Sequence, residues 1–165
     1  MNAGAYGGEF KDVATSVTCL TPEGEVRTLD ANEADWSYRR SRMGDEGHIV
    51  LGVAVRLTPG NPDDIKARMM DLAQRRADKQ PLDLPSAGST FKRPEGHFAG
   101  KLIQDAGMQG YSVGGAQVST KHAGFVVNTG GATASDIMHV IEDVQEAVLS
   151  QFGVMLEPEV RRWGF

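Results

Sequence analysis

The fold class expected from the sequence is α+β, arranged in two pieces. Extended, β-branched runs dominate the first sixty residues, a proline- and serine-rich stretch interrupts the chain at 80–95, and a long amphipathic period lies beyond it between Thr133 and Gly153. The 165 residues are 40% hydrophobic and 24% charged, which is enough apolar material for one ordinary domain or two small ones and argues against disorder. Glycine occurs 20 times, well above the usual level of about 7%, so many tight turns or close backbone approaches are expected.

Taken in chain order, residues 13–20 (Val-Ala-Thr-Ser-Val-Thr-Cys-Leu) read as a strand, Thr21-Pro22-Glu23-Gly24 as a turn, and Glu25–Leu29 as its return strand. Asp30 with Glu33 three residues on forms a capping-box pattern that opens a short helical turn. Ile49–Leu57 is almost continuously apolar, broken only by Gly52 and Arg56, and predicts a central strand buried on both faces. Asn61-Pro62-Asp63-Asp64 starts a helix running to about residue 79, with Ile65, Met69, Leu72 and Ala73 on one side and Lys66, Arg68, Arg75 and Arg76 as a solvated face.

Pro81, Pro85 and Pro94, with Ser86, Gly88, Ser89 and Thr90 between them, do not support regular structure, so the domain boundary is placed here, with residues 1–79 and 80–165 as the two pieces. Ala99–Ala106 predicts a short helix ended by Gly107, residues 108–119 are glycine-broken, and Phe125–Asn128 predicts a strand. Thr133 caps a long helix whose stripe is Ile137, Val140, Ile141, Val144, Val148 and Leu149, with Gly153 as its stop. The tail, Val154–Phe165, is expected to be extended.

Lys and Arg number 17 against 22 Asp and Glu, a net charge of -5, so no global positive field exists to recruit nucleic acid. The single cysteine, Cys19, cannot form an internal disulfide or a multi-thiolate metal framework, and a reducing compartment follows as the default. No stretch approaches the roughly 18 apolar residues of a membrane span, so the expectation is a cytoplasmic protein with neither membrane nor nucleic acid as partner.

Two familiar motifs fail on inspection. Gly96-His97-Phe98-Ala99-Gly100-Lys101 resembles the end of a phosphate-binding loop, but its spacing is one residue short and Leu102 stands where Ser or Thr should hold magnesium. Gly110-Tyr111-Ser112-Val113-Gly114 matches a nucleophile elbow, yet Gly115 follows where a helix must begin. His48, His97, His122 and His139 lack metal-ligand spacing, so no metal is expected.

What remains is a group of polar residues in segments not built for packing: Arg39 in Tyr38-Arg39-Arg40-Ser41, Ser89 in Gly88-Ser89-Thr90-Phe91-Lys92-Arg93-Pro94, and Glu159 in Leu156-Glu157-Pro158-Glu159-Val160-Arg161. With the opening Met1-Asn2-Ala3-Gly4-Ala5-Tyr6-Gly7-Gly8-Glu9, Gly114-Gly115-Ala116-Gln117-Val118-Ser119 and Lys121-His122-Ala123-Gly124-Phe125, they occur in an order that covers nearly the whole chain. In that order they resemble the UDP-N-acetylenolpyruvoylglucosamine reductase family, flavoenzymes that make UDP-N-acetylmuramate for bacterial peptidoglycan, in its shorter, type II form.

The resemblance implies the second half of a PCMH-type FAD-binding domain followed by a small α+β substrate-binding domain. Family chains are nearly twice this length, so it also implies an incomplete form whose partner is the N-terminal FAD-binding half. The implied cofactors are FAD and NADPH, and the implied substrate is UDP-N-acetylenolpyruvoylglucosamine. In that chemistry reduced flavin delivers hydride to the terminal carbon of the enolpyruvyl group, and the negative charge left behind must be stabilised and protonated. Arg39 matches the family's catalytic arginine, Ser89 its proton donor and Glu159 its catalytic glutamate. These three are expected to converge on one double bond. Lys92 and Arg93 are implied to bind anionic groups of the substrate, with Gln117 and His122 as further contacts, and Gly4, Ala5, Gly7 and Gly8 fall where the family's backbone approaches the flavin. The alternative left open is a non-catalytic UDP-sugar-binding module or an inert remnant.

Overall fold

The structure is a computed structural model that describes residues 1–164. The chain divides into two compact units, one ending at Pro62 and the other starting at Asp63, while the class is the mixed α+β one expected.

The first unit opens with a miniature hairpin. Strands β1 (Gly4–Ala5) and β2 (Gly8–Glu9) are joined by Tyr6 at φ 51° and Gly7 at φ 84°. Two central residues with positive φ match the right-handed twist of the flanking strands. Strands β3 (Ala14–Leu20) and β4 (Val26–Asp30) then form the expected hairpin, whose turn is closed by the Thr21 N–H donating to the Glu25 carbonyl at 2.8 Å. The Asp30/Glu33 capping box is present on a single 3-10 turn, Ala31–Glu33. A four-residue helix, α1 (Arg42–Asp45), carries no sequence signal long enough to predict it.

Strand β5 (Ile49–Val55) corrects the sequence expectation. It pairs with β3 in the order β4-β3-β5, so it is an edge strand, and all seven of its residues are exposed, Ile49 at 62% and Leu51 at 55%. The reason lies in the size of the unit's core. Val17, Cys19, Ala34 and Met43, with Leu29 and Trp36 against them, gather over β3, and this small cluster borders Val50 and Val53 of β5 without burying them. An apolar run records the burial a strand is built for, but it does not say which part of a protein supplies the cover.

In the second unit, helix α2 (Pro62–Lys79) has the expected extent, and its Arg75 pairs with Asp71 at 2.9 Å on the solvated face. The proline-rich segment is less irregular than its composition suggests. Ser86–Ser89 forms strand β6, which joins β9 through a register shift, with Gly88 at φ 86° absorbing the irregularity. Helix α3 (Ala99–Asp105) is as expected. The glycine-broken stretch holds a second small hairpin, β7 (Ser112–Val113) and β8 (Ala116–Val118), followed by β9 (Phe125–Asn128). The four strands are antiparallel in the order β6-β9-β8-β7.

Helix α4 (Ala134–Phe152) covers this sheet, beginning at the Thr133 cap and ending at Gly153 with φ 69°. Its stripe of Val140, Ile141, Val144 and Val148 is essentially fully buried with Ile103, Ala116, Val118, Val126 and Leu156. At roughly 1.5–3 kcal/mol for each fully buried aliphatic side chain, this cluster dominates the unit's stability. The tail after Gly153 is not a strand. Among its described residues it makes a single ladder contact, Pro158 with Phe91, and Phe165 lies outside the described residues.

Two outcomes follow. A Cβ on Gly115 would stand 2.4 Å from the Gly130 carbonyl oxygen and 2.5 Å from the Ala132 nitrogen, both backbone atoms. Gly115→Ala should therefore cost on the order of 2 kcal/mol or more in urea unfolding. At the start of α4, the Thr133 N–H donates to Asp136 Oδ2 at 2.8 Å and the Thr133 hydroxyl accepts from the Asp136 N–H at 3.1 Å. Thr133, chiefly through its N–H, holds the Asp136 carboxyl below the usual carboxylate range. Because the folded-state value is depressed, the stabilisation is present above about pH 4 and is lost as pH falls through the lowered value. Asp136→Asn should flatten that part of the stability profile between neutral and acid pH.

Candidate functional site

In the first unit the β1–β2 hairpin and the Tyr38–Arg39 turn line one open cavity of about 520 Å³. Five sequence-predicted residues meet there: Gly4, Ala5, Gly7, Gly8 and Arg39. Around Gly7 and Gly8 no atom lies within 4 Å of where a Cβ would stand, so the hairpin presents bare backbone to open space. Arg39 is carried on a two-residue turn in which Ser37 and Arg40 exchange backbone hydrogen bonds of 3.3 and 3.2 Å. Its φ of 57° is uncommon for a residue with a side chain, and its guanidinium carbon lies 4.9 Å from the centre of the Tyr38 ring.

The second unit gathers a different set. The Lys92 N–H donates to the Glu157 carbonyl and the Glu159 N–H to the Thr90 carbonyl, each at 2.8 Å, so segments 90–92 and 157–159 run side by side. This pairing brings Glu159 next to the end of β6, where Ser89 sits opposite Phe125 and donates its hydroxyl to the Phe91 carbonyl at 3.4 Å. Lys92 forms an ion pair with Glu157. Arg93 lies over the Phe98 ring at 4.0 Å and donates from Nε to the His97 carbonyl at 3.3 Å.

Gln117 on β8 is opposite Val127, as Ser89 is opposite Phe125. Cross-strand partners share a sheet face, so Gln117 and Ser89 lie on the same face, the one turned away from α4. Gln117 donates from Nε2 to the Gly110 carbonyl at 3.3 Å. His122 is tied into the turn before β9. Its Nδ1 accepts from the Gly124 N–H at 3.0 Å, which leaves the proton on Nε2, and its ring meets Phe125 edge-on.

The structure thus groups Arg39 with the four hairpin residues, and Ser89 with Glu159, Lys92 and the Gln117 face. Arg39 belongs to the first unit and the others to the second. Sequence reasoning passed over Glu9, Lys11 and Tyr38, which also line the first cavity. For Glu9 and Tyr38, adjacency in sequence to Gly8 and Arg39 was the available signal. Among the described residues, no group of three His, Cys, Asp or Glu side chains is placed to hold a metal ion.

Residues 80–163 match the family model described as UDP-N-acetylenolpyruvoylglucosamine reductase, C-terminal domain. A UDP-N-acetylenolpyruvoylglucosamine reductase from Agathobacter rectalis is 61% identical over 164 residues, covering 99% of this chain and 52% of that protein. One from Limosilactobacillus reuteri is 58% identical, covering 98% and 54%. The chain therefore spans about half the length of the curated relatives it matches. A solved UDP-N-acetylenolpyruvylglucosamine reductase from Thermus caldophilus is similar with a TM-score of 0.84 at 33% identity, over 99% of this chain and 57% of that one.

The position of Glu159 depends on Leu156, fully buried, whose carbonyl accepts from Gln145 Nε2 at 2.7 Å. Gln145→Ala leaves that carbonyl unpaired at a cost of about 1 kcal/mol. Hydrogen exchange read residue by residue should show the Glu159 amide exchanging faster while the amides of β8 and β9 keep their protection.

Proposed function

The chain belongs to the UDP-N-acetylenolpyruvoylglucosamine reductase family, and on that premise we propose that it supplies the second half of a flavoenzyme reducing UDP-N-acetylenolpyruvoylglucosamine to UDP-N-acetylmuramate. Residues 1–79 would then be part of an FAD-binding domain and residues 80–165 the substrate-binding domain. The observation that carries the reading is the side-by-side pairing of 90–92 with 157–159, which gathers a hydroxyl, a carboxyl and a cation from distant parts of the chain.

The first unit fits a flavin in one respect. Gly7 and Gly8 leave their backbone open to a cavity that also holds Tyr38 and Arg39, so a flat, polar-edged ring can approach without meeting side chains. Bound there and reduced by NADPH, FAD would supply the hydride. The chain's own residues do the rest. As the enolpyruvyl double bond takes up hydride at its terminal carbon, its π electrons move onto the adjacent carbon and into the carboxylate. The Arg39 guanidinium, a permanent cation with a planar fork of donors, opposes that charge. Ser89 gives its Oγ proton to the adjacent carbon, forming the new C–H bond, and regains a proton from solvent. Its 3.4 Å bond to the Phe91 carbonyl is long enough to be given up for this. Glu159, held through its backbone by Thr90, orients the proton donor or itself donates a hydrogen bond to the developing charge. Lys92 and Arg93 offer cations to the anionic groups of the substrate.

The exposed apolar edge of β5 supports the companion reading, that a preceding half of such an enzyme covers it. Two outcomes are expected. The purified 165-residue polypeptide is colourless and does not oxidise NADPH, whereas co-expression with a preceding FAD-binding half yields yellow protein. Retained flavin and enolpyruvyl-dependent turnover by the 165 residues alone would overturn the companion reading. In the assembled enzyme, Ser89→Ala abolishes UDP-N-acetylmuramate formation but leaves NADPH oxidation by the flavin, since proton donation follows hydride transfer. Loss of flavin reduction itself would remove the role given to Ser89.

A further inference from the structure

We propose that Glu9 is a positioning residue for Arg39, a role that rests on the reading of Arg39 given above. The two side chains line one cavity, Glu9 at the end of β2 and Arg39 on its two-residue turn. Arginine has a long, rotamer-rich side chain, and a turn fixes it less firmly than a helix or strand would. A fixed anion in the same cavity gives the guanidinium a preferred direction before any substrate arrives.

Glu9 is built to be such an anion. Its Oε2 accepts from Asn2 Nδ2 at 2.9 Å and faces Lys11 Nζ at 2.7 Å. Asn2 is itself buried, 1% exposed, and its Oδ1 accepts from the Lys11 backbone N–H at 3.0 Å, so the amide that grips Glu9 is anchored at both ends. The Glu9 backbone N–H donates to Asp12 Oδ2 at 2.7 Å, which fixes the main chain from which the carboxylate projects. The hydrogen bond from Lys11, then that from Asn2, and more weakly the charge of Arg39, hold the Glu9 carboxyl below the usual range, so it is ionised at neutral pH. A substrate carboxylate entering this cavity competes with Glu9 for the guanidinium. Glu9 therefore lowers ground-state affinity while keeping Arg39 where the developing charge will appear.

The test uses Glu9→Gln, which keeps shape and removes charge, and Glu9→Asp, which keeps charge. In the enzyme assembled by co-expression with a preceding half, Glu9→Gln should lower kcat on the order of tenfold with KM for the enolpyruvyl substrate unchanged or reduced, and Glu9→Asp should recover most of kcat. On the 165-residue chain, nitrogen-15 NMR should show the Arg39 Nε–H exchanging several-fold faster in Glu9→Gln but not in Asp12→Asn. Should Glu9→Gln not fold, Asn2→Ala, which removes the amide grip on the Glu9 carboxylate but leaves its charge and its Lys11 contact, provides the same exchange measurement. Unchanged exchange overturns the proposal, as does unchanged kcat in Glu9→Gln when Arg39→Lys abolishes turnover. If Arg39→Lys leaves turnover intact, it is the reading of Arg39 that fails.

Discussion

The packing of one helix face on one small sheet is the constraint from which the second unit follows. Val140, Ile141, Val144 and Val148 of α4 meet Ala116, Val118 and Val126 of β8 and β9, and Leu156 closes the same cluster from beyond the helix. That last contact gives the packing its functional weight. With Leu156 buried and its carbonyl bonded to Gln145 of α4, residues 157–159 have little choice but to run beside 90–92. A core of mostly aliphatic residues, with Phe91 among them, thus sets where a serine and a glutamate separated by seventy positions can meet.

Most of this arrangement was legible in the sequence wherever local chemistry decides the outcome. Thr133 with Asp136 and Gly153 bound α4 because a cap needs a side-chain acceptor and a stop needs a left-handed residue, and both requirements are readable one residue at a time. The Asp30/Glu33 box and the turn at Thr21–Glu25 are of the same kind. Strand β6 was not legible, since Ser86-Ala87-Gly88-Ser89 has no β-branched residue and owes its conformation to pairing with β9 across some forty residues of chain. The β1–β2 and β7–β8 hairpins were missed for a related reason, being too short to display a period.

The site divides along the same line. Segment composition was enough to single out Arg39, Ser89 and Glu159, because each sits in a stretch with no packing rationale, whereas Gly4, Ala5, Gly7 and Gly8 were picked out only through the family resemblance. Their surroundings were not readable. That His122 is held by the Gly124 amide, or that Arg93 lies over Phe98, depends on close approach within loops, which leaves no periodic trace. Strand β5 is the converse case: its apolar run predicts a central strand buried on both faces, and it is an exposed edge strand instead, because the unit's small core gathers over β3.

Arg39 holds a left-handed backbone that glycine would adopt freely. Replacing it with glycine relaxes the main chain while deleting the charge, so, with the role proposed for Arg39, thermal robustness and turnover are pulled in opposite directions at this position. Selection for heat tolerance alone would drift toward a sturdier molecule without the guanidinium. With the role proposed for Arg39, a naturally occurring relative with glycine here would be recognisable as one that has given up the reaction and kept the scaffold.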